Sequence, residues 1–198
     1  MNGSVIALPN EQALVLRATD EPEAFAIIYD HYFPRVYNFV RYRVRDPVTT
    51  DDITAQVFER ALAGLERYRP KRGPLAAWLF GIARHAVNDH LRAQKRHRWL
   101  SLDLLRNKAS AGPQPEQIVV RSEMREELLD AIARLSDRER ELIALKFGAR
   151  LTNRQIAELT GLSASNVGVI LFRAVRRLRT RLIEACPRDY GEREQGHE

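Results

Sequence analysis

The sequence predicts an all-α fold arranged as two small helical domains joined by a flexible linker. Three observations predict it. No long apolar/polar alternation occurs in the 198 residues, and no Asn-Gly or Asp-Gly pair is flanked by two strand-like runs. Apolar residues instead recur at spacings of three and four through most of the chain. Between two such blocks, Lys108 to Pro115 (KASAGPQP) gathers small residues, a glycine and two prolines, the composition of a linker.

The elements follow in order. Ala24, Phe25, Ile28, Tyr32, Val36, Phe39 and Val40 mark a first long helix, and Pro34 within it predicts a kink or a break. Thr49 or Thr50 is the expected cap of a helix beginning at Asp51 and Asp52, acids favoured at a helix N-terminus, with Ile53, Val57, Ala61 and Leu65 as its apolar stripe. Arg69 to Pro74 (RPKRGP) breaks the chain. A helix from about Leu75 carries Trp78, Leu79, Ile82 and Ala83, and another runs through Asp89, Leu91 and Lys95, so His85 and Asn88 are expected where one yields to the next. Beyond the linker, Met124, Leu128, Leu129 and Ile132 open the second block. Ser136-Asp137-Arg138-Glu139 has the form of a capping box before Leu142, Ile143 and Leu145, with Gly148 ending that helix. Thr152 caps a short helix, Asn153 to Leu159; Thr160-Gly161-Leu162 turns; and Ser163 or Ser165 caps a last long helix to about Ile183. The expected segments are 1–21, 22–98, a linker 99–123, 124–183 and a polar tail 184–198.

Lys plus Arg number 32 against 26 Asp plus Glu, a net charge of +6, and only four of the cations are Lys (71, 95, 108 and 146). Cys186 is alone, which excludes an intramolecular disulfide framework and a cysteine-based zinc finger. No apolar run approaches the ~20 residues that cross a bilayer, and no basic residue precedes the short apolar stretch at the N-terminus as in a secretory signal. A cytoplasmic protein without membrane insertion is expected, and its charge asks for an acidic partner.

Residues 152–182 hold a short helix, a glycine-containing turn and a longer helix, the layout in which the second helix enters a DNA major groove. On that second helix Val167, Leu171, Ala174, Leu178 and Leu182 form the core stripe, and the opposite surface offers Ser165, Asn166, Val169, Ile170, Arg173 and Arg177. Arg173, Arg176, Arg177, Arg179 and Arg181 follow without an intervening acid. Phosphate neutralisation explains such a run; a solvated face, or cations at a helix C-terminus, is the competing explanation.

The first block presents two surfaces. Asp52, Gln56, Glu59 and Glu66 form an acidic stripe that DNA would repel, either plain solvated surface or a docking face for a protein. From Arg84 to Lys108 seven cations face two acids, with Tyr68, Trp78, Phe80, His85, His90, His97 and Trp99 flanking or interleaved. Arginine with aromatic rings suits single-stranded nucleic acid, where stacking contributes ~1–3 kcal/mol per base. Core packing competes for Trp78 and Phe80, and an ordinary charged helix for the cations. His85 and Asn88 fit a base-edge contact or a cap equally well.

These residues resemble a known family. Asp51-Asp52-Ile53, Val57-Phe58-Glu59-Arg60-Ala61 and Trp78-Leu79-Phe80-Gly81-Ile82-Ala83-Arg84-His85 are similar to the second conserved region of bacterial RNA polymerase sigma factors. Leu135 to Arg140, followed by Gln155 to Ser163, resembles the fourth region. The order and the absence of a large third domain point to the small extracytoplasmic-function (ECF) group. The resemblance implies that Asp51, Asp52, Gln56, Phe58 and Glu59 dock on the clamp helices of the largest subunit of core RNA polymerase. It implies that Arg84, His85, Asn88, Asp89, Arg92, Lys95 and Arg96 read and melt the minus-ten promoter element, with His85 to Asp89 in or beside a base-capturing loop. Ser165, Asn166, Val169, Ile170, Arg173 and Arg177 would read the minus-thirty-five duplex, and an anti-sigma factor would restrain the protein. The chain departs from the family pattern at Ala55 (often Gln), His85 (often Asn), and Gly168 and Ile170 (often Lys or Arg).

No phosphate-binding loop of the G-x-x-x-x-G-K-[ST] kind is present, so no ATP is implied and no cofactor is expected. Two other classes compete. A conventional helix-turn-helix regulator would bind its operator alone, usually as a dimer, and the basic, aromatic-flanked segment 78–99 counts against it. A small recombinase or nuclease would need a nucleophile or a carboxylate–metal cluster. Adjacent Asp51 and Asp52 do not face each other on a helix, and the five histidines show no metal spacing, so neither catalytic residues nor a metal site is expected.

Overall fold

The computed structural model describes residue 8, residues 10–100 and residues 116–185, without the side chains of 98–100, 116–123 and 185. Eight α-helices and no strand occur among the described residues. The first lobe holds α1 (Glu11–Arg17), α2 (Pro22–Val44), α3 (Pro47–Gly64) and α4 (Leu75–Leu100), with short 3-10 turns at Leu65–Arg67 and Pro70–Arg72. The second holds α5 (Glu116–Ala133), α6 (Asp137–Ile143) running into a single π turn (Ala144–Gly148), α7 (Asn153–Thr160) and α8 (Ala164–Ala185). Residues 101–115 of the expected linker, with Asp103, Arg106 and Lys108, and the tail from Cys186 lie outside the described residues, as do the side chains of Arg98 and Trp99. α5 starts at Glu116, inside the stretch expected as linker.

Three boundaries differ from expectation, each for a physical reason. Pro34 does not divide α2. It sits on the exposed face while Tyr32, Val36 and Phe39 beside it are buried, so packing of the opposite face overrides a local cost of ~3 kcal/mol. α3 starts at Pro47 rather than Asp51: Asp46 is the cap, its Oδ2 accepting from Thr49 N at 2.7 Å, and proline occupies the first turn, where its missing N–H is harmless. α4 runs unbroken through His85 to Asp89, because Leu75, Leu79, Phe80, Ala83, Ala86 and Val87 continue one buried stripe along it. Its first turn is held by α1: Leu75 N donates to Glu11 Oε1 at 2.9 Å, and the Tyr32 hydroxyl donates to the other oxygen of the same carboxylate at 3.2 Å. Burial is the main cause that raises the Tyr32 pKa, which keeps it a donor.

The second lobe follows its local signals closely. Ser136 with Glu139 and Thr152 with Gln155 both form reciprocal capping boxes. Gly161 adopts φ 73°, the left-handed turn that glycine tolerates, and Ser163 Oγ accepts from Asn166 N at 3.1 Å to cap α8.

The two lobes rest against each other and share one apolar core. The π turn lies on α2 so closely that a Cβ added at Gly148 would stand 2.9 Å from Phe39 N and 3.0 Å from Asn38 C. Arg35, only 8 % exposed, donates from Nε and Nη2 to the Ala149 carbonyl at 2.9 and 2.7 Å, its guanidinium 5.0 and 5.4 Å from the rings of Tyr32 and Phe80. Arg43 donates to the Asp137 carbonyl at 2.9 Å. Burial lowers the pKa of both arginines, and carbonyl acceptors supply part of what water would. Ion pairs Arg41–Glu126 (2.8 Å), Lys95–Asp137 (2.8 Å) and Arg45–Asp130 edge the contact.

Candidate nucleic-acid interface

The helix-turn-helix is complete. α7 and α8 meet at 106°, within the ~90–120° usual for the motif. Val167, Leu171, Ala174 and Leu178 are buried and Leu182 half-buried, as the stripe requires. Ser165, Asn166, Val169 and Arg173 are exposed. Ile170 is half-buried and packs against the core. Arg177 is exposed but ion-paired with Glu139, the acid of the α6 capping box. Burial pushes the Glu139 pKa up, yet the Ser136 hydroxyl and amide together with Arg177 outweigh it and hold the carboxyl below its ordinary value. One residue was missed: Phe172, 70 % exposed, on the outward arc beside Val169 and Arg173. Its three-residue step from Val169 is the signal that would have found it.

The surface expected on α4 is divided. His85, Asp89, Arg92, Lys95 and Arg96 are exposed, with Asp89 3.6 Å from Arg92. Arg84 and Asn88 are half-buried and engaged. Arg84 donates from Nε to Glu141 at 2.7 Å and from Nη1 to the Leu159 carbonyl at 2.9 Å, and Asn88 Oδ1 accepts from Arg43 at 3.3 Å. His85 to Asp89 form no loop; they are mid-helix, which corrects the base-capturing loop expected there.

The concave feature lies elsewhere. A cavity of about 430 Å³ follows the arginine run of α8, and one of about 310 Å³ opens between the α3–α4 connection and α7. The second is lined by Arg67, Tyr68, Arg69, Arg72 and Trp78, with Glu158 and Leu159 from the second lobe. Tyr68 donates to the Gly73 carbonyl at 2.9 Å and pins the connection, and its ring stands 5.4 Å from that of Trp78. Trp78 is half-buried, one edge against the core and one on the cavity, whereas Phe80 is wholly core. Tyr68 and Trp78 are among the aromatic residues the sequence sets beside the basic segment; Arg67, Arg69 and Arg72 in RYRPKRGP, where the sequence shows a chain break, are the part of the signal that went unused.

On α3, Asp51, Asp52, Gln56 and Glu59 are exposed. Phe58 is not part of that face: it is 4 % exposed, its ring 4.5 Å from Tyr29 and 6.3 Å from Phe33. It supports the neighbouring surface from beneath, which corrects its expected place among the contact residues. No group of three or more His, Cys, Asp or Glu among the described residues could hold a metal ion. No single helix among them is long and apolar enough to cross a membrane.

The sigma-70 region 2 family model matches residues 28–97, and the sigma-70 region 4 model matches residues 125–178. The ECF RNA polymerase sigma factor BldN of Streptomyces coelicolor is 31 % identical over 166 residues, 83 % of this chain and 63 % of its own length, so this chain spans less than two thirds of that relative. The ECF RNA polymerase sigma factor SigD of Mycobacterium tuberculosis is 30 % identical over 77 % of this chain and 74 % of its own. Among solved structures, CnrH in complex with the cytosolic domain of CnrY shares the fold with TM-score 0.67 at 21 % identity, over 89 % of this chain and 98 % of its own. The sigma factor RpoE of Bartonella quintana, in complex with the anti-sigma factor NepR, shares it with TM-score 0.66 at 19 % identity, over 81 % and 97 %. A helix-turn-helix lobe behind a helical lobe with an arginine-and-aromatic cavity, matched in order by both regions, assigns the chain to the RNA polymerase sigma factors, in the ECF group.

Proposed function

We propose that the chain is a promoter-specificity subunit: it binds core RNA polymerase, carries it to promoters and opens the minus-ten element. The observation that supports this best is the pairing, on one chain, of a duplex reader and a strand reader of different chemistry. The outward face of α8, with Ser165, Asn166, Val169, Phe172 and Arg173, suits a major groove, where Val169 and Phe172 can meet thymine methyl groups and the arginines phosphates. Arg177 joins them once it leaves Glu139, and Ile170 packs beneath. The cavity of Tyr68, Trp78, Arg67, Arg69 and Arg72 suits an unstacked base and its phosphate. His85, Arg92, Lys95 and Arg96 extend a cationic track along α4, with Asp89 orienting Arg92, Arg84 available when the second lobe moves away, and Asn88 available when Arg43 releases it.

Opening needs no nucleotide hydrolysis in this reading. Extruding a base costs a few kcal/mol, and stacking returns ~1–3 kcal/mol per base. The acidic face of α3, with Asp51, Asp52, Gln56 and Glu59, is the docking face for the clamp helices of the polymerase's largest subunit. The chemistry of RNA synthesis belongs to the polymerase, so the chain itself is no enzyme, and the site of action is the cytoplasm. An anti-sigma factor is the expected restraint, by analogy with the complexes of CnrH and RpoE.

The test is run-off transcription with core polymerase on genomic promoter fragments. Initiation is expected only when this protein is added, and Asp52→Lys with Glu59→Lys is expected to abolish it while leaving duplex binding intact. Transcripts that appear equally without the protein would overturn the proposal.

A further inference from the structure

We propose that Glu11 is a positioning residue for strand capture: from α1 it caps α4, and so fixes the α3–α4 connection that carries Arg67, Tyr68, Arg69 and Arg72. The consequence for the strand rests on the function proposed above; the cap itself does not.

The start of α4 has no cap of its own. Gly73-Pro74-Leu75-Ala76 offers no Ser, Thr, Asp or Asn where a helix N-terminus needs one. The first N–H groups of a helix lack an intrahelical acceptor, and here they begin among core residues, with Leu75 and Ala76 both buried, where water is a poor substitute. The Pro74 carbonyl accepts from Ala77 N at 3.0 Å and from Trp78 N at 3.3 Å. Leu75 N has no such partner within the helix. Glu11 Oε1, 64 residues away in the chain, accepts from it at 2.9 Å. A carboxylate at this place also gains from the helix dipole. The other oxygen of the same carboxylate accepts from the buried Tyr32 hydroxyl of α2, and Leu14, Val15 and Ala18 anchor α1 in the core. One side chain thus ties α1, α2 and α4 together at a single point.

The position of that point gives it a role beyond stability. Leu75 follows directly on Gly73 and Pro74, which line the aromatic cavity together with Ala77 and Trp78. Gly73, at φ 140°, turns the chain into α4, and its carbonyl accepts from the Tyr68 hydroxyl at 2.9 Å. Burial, joined by the negative charge of Glu11, raises the Tyr68 pKa and keeps that hydroxyl a donor. The connection is therefore closed on itself by Tyr68 and Gly73 and anchored to the core by Glu11. Arg67, Arg69 and Arg72 are exposed, so the backbone that carries them sets where they stand. A connection in register for only part of the time binds a strand with an affinity reduced by that fraction.

The full-length chain tests this with Glu11→Ala and Glu11→Gln. In Glu11→Ala, hydrogen exchange over residues 71–78, read by mass spectrometry, is expected to rise. Affinity for a fluorescent single-stranded 12-mer oligodeoxynucleotide is expected to fall about tenfold, as the loss of one bond to a charged group allows. Duplex binding by α8, on the other lobe, is expected to stay at the wild-type level. Glu11→Gln is expected to restore both properties: its amide oxygen accepts from Leu75 N, and the Tyr32 hydroxyl, able to donate or accept, turns to accept from the amide nitrogen. Should Glu11→Ala fail to fold, Tyr32→Phe removes the contact that orients the carboxylate and is expected to change exchange and strand affinity in the same directions, by less. Unaltered exchange over 71–78 in the folded variants would overturn the proposal. So would a lowered thermal midpoint with wild-type strand affinity, the outcome of a purely structural role. A wild-type chain that binds no strand, while exchange responds as stated, would overturn the role in strand capture and leave the cap standing.

Discussion

The two surfaces proposed to meet nucleic acid are presented differently. The outer face of α8 stands open, with Ser165, Asn166, Val169, Phe172 and Arg173 all exposed in the folded chain. The surface proposed to read a single strand is half covered by the other lobe, through Arg84 and the wall that α7 gives the aromatic cavity. Groups that read a closed duplex need only be displayed, because the duplex is always available. Groups that stack an unpaired base would otherwise take any single strand, and in the proposed reading the second lobe sits where that strand would lie.

The largest expected effect comes from the shared core. Phe80 is wholly buried, edge-on to Phe39 at 5.9 Å, and Phe39 is the residue on which Gly148 rests. Phe80→Ala should lower stability by about 3–5 kcal/mol, read as a shift of the urea midpoint. If the lobes unfold together, fluorescence of the first lobe and helicity of the whole shift in step; a helical transition that stays in place would show that they fold independently.

The α8 face gives the next effect. Arg173→Ala should weaken binding to a minus-thirty-five duplex and reduce the slope of log affinity on log salt by about 1, as the loss of one phosphate contact does. Arg177→Ala should change the slope less, because Glu139 competes for that guanidinium. Equal slopes for the two variants would mean that the Glu139 pair does not hold Arg177 back in solution.

The smallest effects concern α6, its cap and its contact with the first lobe. Ser136→Ala removes a cap worth about 1 kcal/mol, read as a drop in thermal midpoint. The Lys95 ammonium, outweighing a burial penalty, holds the Asp137 carboxyl below its ordinary value, and Glu139 is likewise held low. Carboxyls lowered in the folded state lend their support in full above their ordinary pKa of about 4. That support is lost as pH falls through the lowered values. The Lys95–Asp137 contact between the lobes should therefore hold from neutral pH down to about 5 and loosen below about 4, measured as loss of the compact scattering profile, while Glu139 lends its support within the second lobe. A profile unchanged down to pH 3 would remove the acids from the account.

Legibility in the sequence followed the range of the interactions. The second lobe was readable because its signals are local: Ser136 with Glu139, Thr152 with Gln155, and Gly161 each act within a few residues. The start of α3 differs from expectation because Asp51 and Asp52 mimic first-turn acids, while the true cap, Asp46 before Pro47, lies five residues before Asp51. The unbroken α4 and the buried Phe58 depend on tertiary packing that tolerates or recruits them. The cavity joins Tyr68 and Trp78 to Glu158, and the contact between the lobes joins Arg35 to Ala149; no periodicity encodes partners so distant in the chain. Arg35 and Arg43 carried no sign in the sequence that they would be buried against carbonyl groups.

The most direct test of the whole account is the distance between the lobes. Gln12→Cys and Glu184→Cys, both at exposed positions, with Cys186→Ser, allow a donor and an acceptor dye on opposite lobes. Two lobes that are docked when free and read separate elements on a promoter should give high energy transfer in the free protein and little once assembled with core polymerase on promoter DNA. The same transfer in both states would contradict it.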